Sequence, residues 1–256
     1  MTKPLNFQDY SCKQCVENAK LQFGLSMAFQ PIVDLNTQSI FAHEALVRGL
    51  NNEPAGHILS QVTDQNRYQF DQACRVKAIE LASQLDMKTR VSINFLPNAI
   101  YRPELCIRTT IEAAESYGFP LDQIIFEVTE GEKVKDNAHL VSIIKYYQKR
   151  GFLTAIDDFG AGYSGLNLLV EFKPDIIKLD MFLIRNIDQD KGRQAIVKGI
   201  IHVCQDLNIQ IIAEGVETAA ELDVLSALGI HYFQGYHFAK PSFESLAQVD
   251  FFQKQA

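Results

Sequence analysis

Short, nearly unbroken apolar runs recur along this chain, each giving way to a polar residue, a loop and a stretch of helical periodicity. The first two runs, 27–34 and 40–47, are separated by only five residues, which include the turn-like Leu35-Asn36-Thr37-Gln38. So short a gap predicts an antiparallel hairpin. Further strands are predicted at 90–95, 123–128, 153–156, 175–179, 210–213 and 231–234. Between them the pattern predicts helices at about 57–85, 103–117, 137–150 and 166–171, a long helix ending near Leu207, then 219–228 and 242–252. Pro103 suits a first helical turn, and Gly151 and Gly229 follow helix ends. Strands that lack polar alternation are buried on both faces, the mark of a parallel sheet covered by helices. Seven or eight such units in 256 residues favour an α/β fold of the closed (β/α)8 TIM-like barrel type. An open sheet would carry G-x-G-x-x-G after its first strand, and none is present there.

Composition sets the outer limits. With 47% hydrophobic residues the chain can bury one large core, and no linker-like tract divides it. Residues 1–24 read as a polar lead-in and 25–256 as one domain. A net charge of −7 argues against binding DNA or RNA, which calls for basic stripes. No apolar run reaches the ~18–20 residues of a membrane span, and the first residues lack a signal-peptide profile, so a cytoplasmic location is expected. Five scattered cysteines make no disulfide framework, and the Cys12–Cys15 pair lacks further zinc ligands.

The polar residues that close the apolar runs carry the chemistry. Glu44, Asn94, Glu127, Asp157, Asp158, Lys178, Asp180 and Glu214 fall at successive strand ends, where barrel enzymes gather their reactive groups. Carboxylates ~4 Å apart repel by about 4 kcal/mol per pair at an effective dielectric near 20. Six of them, opposed by Lys178 and Arg48, therefore need cations. An all-oxygen donor set suits two hard dications, Mg²⁺ or Mn²⁺, better than zinc. Asp157 is the natural bridge between them, and such a pair suggests attack of an activated water on a phosphodiester. Lys178 shares a strand face with Asp180, which places it to orient the nucleophile. Each residue alone reads equally well as a cap or a loop group; the joint placement is what points to a site.

The segments FQPIVD, HEALVRG, SINF, FEVTE, TAIDDFGAGYSGL, PDIIKLD, IIAEGVE and FQGY…AKP occur in that order. Together they resemble the EAL-domain phosphodiesterases, which hydrolyse cyclic di-GMP to linear pGpG. The resemblance spans about Leu25 to Val249. It implies a barrel whose first strand runs antiparallel to the others. It implies one cation on Glu44, Asn94, Glu127 and Asp157, and a second on Asp157, Asp158 and Glu214. Lys178 would contact the nucleophilic water, and either Glu214 or a hydroxide between the ions would be the base. Glu130 would hold the loop after Asp158 in its productive shape. Gln30, Leu46, Arg48, Asp180, Gln234 and Pro241 would meet substrate. Ca²⁺ is expected to allow binding without turnover, and homodimerisation through the segment after Asp158 is expected. A separate regulatory protein is a further expected partner. Ala161 and Gly165 replace a Thr and a Ser of the usual family loop, small-for-small changes. The competing readings are a silent cyclic di-GMP receptor or protein-interaction module, and an unrelated metal-dependent lyase.

Overall fold

Nine strands order themselves around one axis among the residues that the computed structural model describes: 21–100, 102–129, 137–161, 165–171 and 173–251. Strand β1 (Ser26–Asp34) and β2 (Ser39–Arg48) form the predicted hairpin, with Ser26 opposite Arg48 and Gln30 opposite Glu44. From β2 the sheet continues in parallel through β3 (Arg90–Asn94), β4 (Ile124–Thr129), β5 (Leu153–Phe159), β6 (Ile176–Leu179), β7 (Gln210–Ala213) and β8 (Tyr232–Phe233). β8 pairs antiparallel with β1, and this closes an eight-stranded barrel. A short β9 (Ser242–Phe243) adds to the first half of β1 at the rim where β2 ends. The helices are α1 (Ala55–Leu59), α2 (Arg67–Gln84), α3 (Pro103–Cys106), α4 (Arg108–Tyr117), α5 (Asn137–Lys149), α6 (Gly165–Glu171), α7 (Met181–Ile184), α8 (Lys191–Leu207) and α9 (Ala219–Ala227).

Alternation along the strands divides the interior into two layers. Ile32, Ala42, Ile125, Ala155, Ile176, Ile212 and Tyr232, each from a different strand, form one apolar cluster inside the barrel. Successive side chains on a strand face opposite ways, so positions two residues apart share a face. Two residues towards the rim from that cluster lie Gln30, Glu44, Glu127, Asp157, Lys178, Glu214 and Gln234. The barrel is thus apolar at its base and polar at its mouth. Outside it, a larger cluster that includes Phe29, Ile79, Ile93, Phe126, Ile144 and Phe152 seals strands against helices. Burial of such side chains contributes about 1.5–3 kcal/mol each, which offsets the cost of the polar layer.

Several predicted elements differ. Residues 242–252 do not form a helix: β9 and turns occupy the described part to residue 251. The apolar spacing is genuine, since Leu246, Val249 and Phe251 pack on the core. Bonds to β1 hold the segment extended instead, Ser26 Oγ donating to Glu244 and the Glu244 N–H to Met27 O at 3.0 Å. The helix expected over 57–85 is broken into α1 and α2, and the one over 103–117 into α3 and α4. Glu44 does not end its strand, because β2 runs four residues further to pair with the start of β1. Residues 1–20 of the lead-in segment 1–24, with Cys12 and Cys15, and the loop residue Glu130 lie outside the described residues.

Candidate metal and active site

Five strands deliver the central cluster. Lys178, fully buried in β6, places Nζ 2.6 Å from Glu214, 2.8 Å from Glu127, 3.1 Å from Asp157 and 3.2 Å from Glu44. One ammonium thus faces four carboxylates, which leaves an excess of negative charge in a place water scarcely reaches. Burial opposes the charge on Lys178, yet Asp157, Glu127, Glu214 and Glu44 together push its pKa well above the ordinary value. Burial likewise drives the carboxyl of Glu127 up to about 8, Lys178 pulling the other way and Glu44 and Asp157 adding to the rise. Glu214 is raised well above the carboxylate range by burial and by Asp157. Asp158 is pushed up to about 6 by burial, Asp157 and Asp180. Metal-free, the cluster holds protons that its residue types would ordinarily have released.

Two overlapping sets of oxygens lie close enough for one ion each. Glu44, Glu127 and Asp157 offer atoms within 4.8 Å of one another, and so do Asp157, Asp158 and Glu214. Asp157 belongs to both sets. Adjacent residues of a regular strand would face opposite ways, and a bulge in β5 removes the conflict. The register with β6 shifts between Ile156 and Phe159, and Asp158 takes a left-handed φ of 54°. Asn94, opposite Glu127 in register, donates Nδ2 to Glu44 Oε1 at 2.9 Å; the same amide turned about its last bond presents Oδ1. Asp157 Oδ1 is buried and meets only the Lys178 ammonium, at 3.1 Å and without a well-directed hydrogen bond, so it keeps a lone pair for a cation. This donor set, all oxygen with no sulfur or imidazole, fits hard divalent ions.

The cluster floors a cavity of about 440 Å³. Gln30, Asp180, Met181, Glu217, Gln234 and Tyr236 are among the side chains around its carboxylates. Gln234 donates Nε2 to Glu44 at 2.7 Å and to Gln30 at 3.2 Å, and Gln30 donates to Ala239 O at 3.1 Å. Asp180 caps α7 by accepting from the Phe182 N–H at 2.7 Å. Gly235 stands where a Cβ would meet the Val216 carbonyl at 2.0 Å, so the loops after β7 and β8 pack backbone on backbone. Leu46 lines a neighbouring cavity with Asn94, the Arg48 guanidinium turns to Val47 O, and Pro241 is half-buried beyond β8. Sequence reasoning missed Ser92, whose buried hydroxyl donates to Glu127, and the exposed ring of Tyr236 at the mouth. Ser92 was findable, since it precedes Asn94 by two and so shares its face.

The sequence profile of the EAL domain matches residues 15–241. Among solved structures, a standalone versatile EAL protein from Vibrio cholerae O395 in its c-di-GMP bound form is 58% identical. The two superpose with a TM-score of 0.88 over 90% of this chain and 98% of that one. BlrP1 of Klebsiella pneumoniae, in a manganese/cy-diGMP complex, is 34% identical with a TM-score of 0.84, over 91% of this chain and 60% of that one. The blue light- and temperature-regulated antirepressor BluF of Escherichia coli K12 is 34% identical over 229 residues, 89% of this chain and 57% of its own length. The chain spans less than two thirds of the length of the curated relatives it matches. With its profile match, its rim of strand-end carboxylates and its reversed first strand, the chain belongs to the EAL domain family.

Proposed function

We propose that this chain is a phosphodiesterase that hydrolyses cyclic di-GMP to linear pGpG with two divalent cations, Mg²⁺ or Mn²⁺. The observation that carries the reading is the pair of oxygen sets sharing Asp157 around the Lys178 ammonium. Glu44, Asn94, Glu127 and Asp157 would hold one ion, and Asp157, Asp158 and Glu214 the other. The ions would supply positive charge that neutralises the phosphodiester and lowers the pKa of the attacking water. Lys178 has three N–H donors and would aim one at that water while its neighbours hold it charged. Either Glu214, 2.6 Å from Lys178, or a hydroxide held between the ions would serve as the base.

Gln30 and Gln234 present neutral amide groups at the cavity wall, where a further carboxylate would repel a phosphate. Tyr236 offers an exposed ring on which a base can stack. Asp180, Leu46, Arg48 and Pro241 complete the substrate contacts, and Glu130 holds the loop after Asp158. Exposed Leu166 and Val170 on α6 and Phe182 on α7 support self-association beside that loop. A separate regulatory protein remains part of the proposal, as does residues 25–256 being the catalytic unit.

Nucleotide products analysed with Mg²⁺, Mn²⁺ and Ca²⁺ test the reading. Linear pGpG is expected with the first two, binding without turnover with Ca²⁺, and no product from Glu44→Ala. Intact substrate after incubation with metal-loaded dimer would overturn it. The name of BluF, an antirepressor, motivates the alternative of a silent receptor; calorimetric binding of cyclic di-GMP with no product under any cation would establish that instead.

A further inference from the structure

Behind the barrel wall, on the face opposite the carboxylates, lies a second ionic cluster that the proposed chemistry does not use. Asp71 and Arg75, one turn apart on α2, are 2% and 0% exposed, and their side chains pair at 2.8 Å. The Arg75 guanidinium lies over the rings of Phe95 (5.5 Å), Phe126 (5.1 Å) and Tyr147 (5.9 Å), and donates to the Tyr147 hydroxyl at 3.1 Å. The second Asp71 oxygen, Oδ1, accepts the Leu96 backbone N–H at 2.8 Å.

These contacts fall on the neighbours of two candidate ligands. Phe95 and Leu96 directly follow Asn94, and Phe126 directly precedes Glu127. The Phe95 N–H also donates to Glu127 O at 3.0 Å, which ties the ends of β3 and β4 together. Along each strand, successive residues face opposite ways. A grip on Phe95 and Phe126 from outside therefore sets where Asn94 and Glu127 point inside. A buried ion pair is weak evidence for stability, since well-packed apolar replacements are commonly neutral or stabilising. Geometry is what remains for this one to supply.

We propose that Asp71 and Arg75 are positioning residues that fix Asn94 and Glu127 for the ion held with Glu44. The inference rests on the two-cation reading above and names the device that regulates the geometry of one of its ion sites. Asp71 acts on Asn94 through the Leu96 amide, and Arg75 acts on Glu127 through the Phe126 ring. The second ion, on Asp157, Asp158 and Glu214, has no ligand next to a residue this pair touches.

The test is the double substitution D71L/R75M, which removes both charges together and leaves no unpaired ion, with D71N as a companion that keeps an acceptor for Leu96. Two readouts apply to the folded chain. In metal-free protein, the Asn94 side-chain amide signals in ¹⁵N spectra are expected to be sharp in the wild type and to move to solvent-exposed positions in the double variant. In calorimetric Mn²⁺ titration, one of two ions is expected to weaken by about tenfold, as for other supports of metal ligands, while the other keeps its affinity. D71N is expected to fall between the two. Unmoved Asn94 signals in folded variants, or two unchanged Mn²⁺ affinities, would overturn the positioning role. A wild type that binds no Mn²⁺ would count against the two-cation reading instead, and the Asn94 spectrum would still decide this one.

Discussion

Two buried ionic clusters lie on opposite faces of the same barrel wall, and they differ in charge balance. Outside, Asp71 and Arg75 are one anion and one cation, paired at 2.8 Å and screened by three aromatic rings, so their charges cancel even though Arg75 Nε is buried without a hydrogen-bond acceptor among the described residues. Inside, Lys178 meets Glu44, Glu127, Asp157 and Glu214, with Asp158 close by. Both have excluded most water, so each charge is strongly felt. The balanced pair has no use for an ion. The unbalanced cluster meets its excess by retaining protons, and dications would meet it better. An arrangement that does not neutralise itself is one built to receive something.

The largest expected effect separates the clusters by their response to metal. Lys178→Met and Arg75→Met each strip the cation from a buried group, a change that typically costs about 3–5 kcal/mol. Urea unfolding should find both destabilised without metal. Excess Mn²⁺ should restore most of the loss in Lys178→Met and none of it in Arg75→Met. Equal rescue of both, or of neither, would erase the distinction drawn above.

A smaller effect concerns pH. The folded-state pKa of Glu127 is raised from 4.5 to about 8, so the native chain keeps a proton that the unfolded chain has released. Stability then falls as pH rises through that window, by at most about 1.4 kcal/mol per pH unit for one proton. His43 has the opposite sign: burial lowers it from 6.5 to about 4, so its contribution is lost as pH falls between those values. From about pH 6.5 to 8 only the Glu127 trend remains of these two. Melting temperatures of EDTA-treated protein should decline there by an amount that saturating Mn²⁺ abolishes. A flat metal-free profile would show that the inner cluster is not under the strain described.

The smallest is Ser92→Ala, which removes the hydroxyl that bonds Glu127 in the barrel. A loss of about 1 kcal/mol is expected in unfolding experiments, with about tenfold weaker Mn²⁺ binding. A variant that loses stability but binds Mn²⁺ unchanged would make Ser92 a packing residue only.

The strand order, the hairpin and most candidate ligands were legible because period-two burial writes itself directly into sequence. The apolar residue two positions before most candidate site residues, as in Ile125 and Glu127 or Ile176 and Lys178, is the signature of one barrel face. Contacts that depend on partners distant in sequence were not legible. The Asp158 bulge requires knowing where β6 lies. Segment 242–252 has helical spacing, but β1 offers its backbone bonds an alternative. Asp71 and Arg75 carry no signal of burial in the sequence, because a charge is expected outside unless its counterpart is known.

The backward run of β1 carries a topographic consequence. In an all-parallel barrel the leading strand begins at the floor, far from the reactive end. Here Ser26 starts beside Arg48, and β9 comes back to the same lip. The start of β1 and β9 therefore adjoin the opening of the cavity, and a tug at either would be felt there without crossing the molecule.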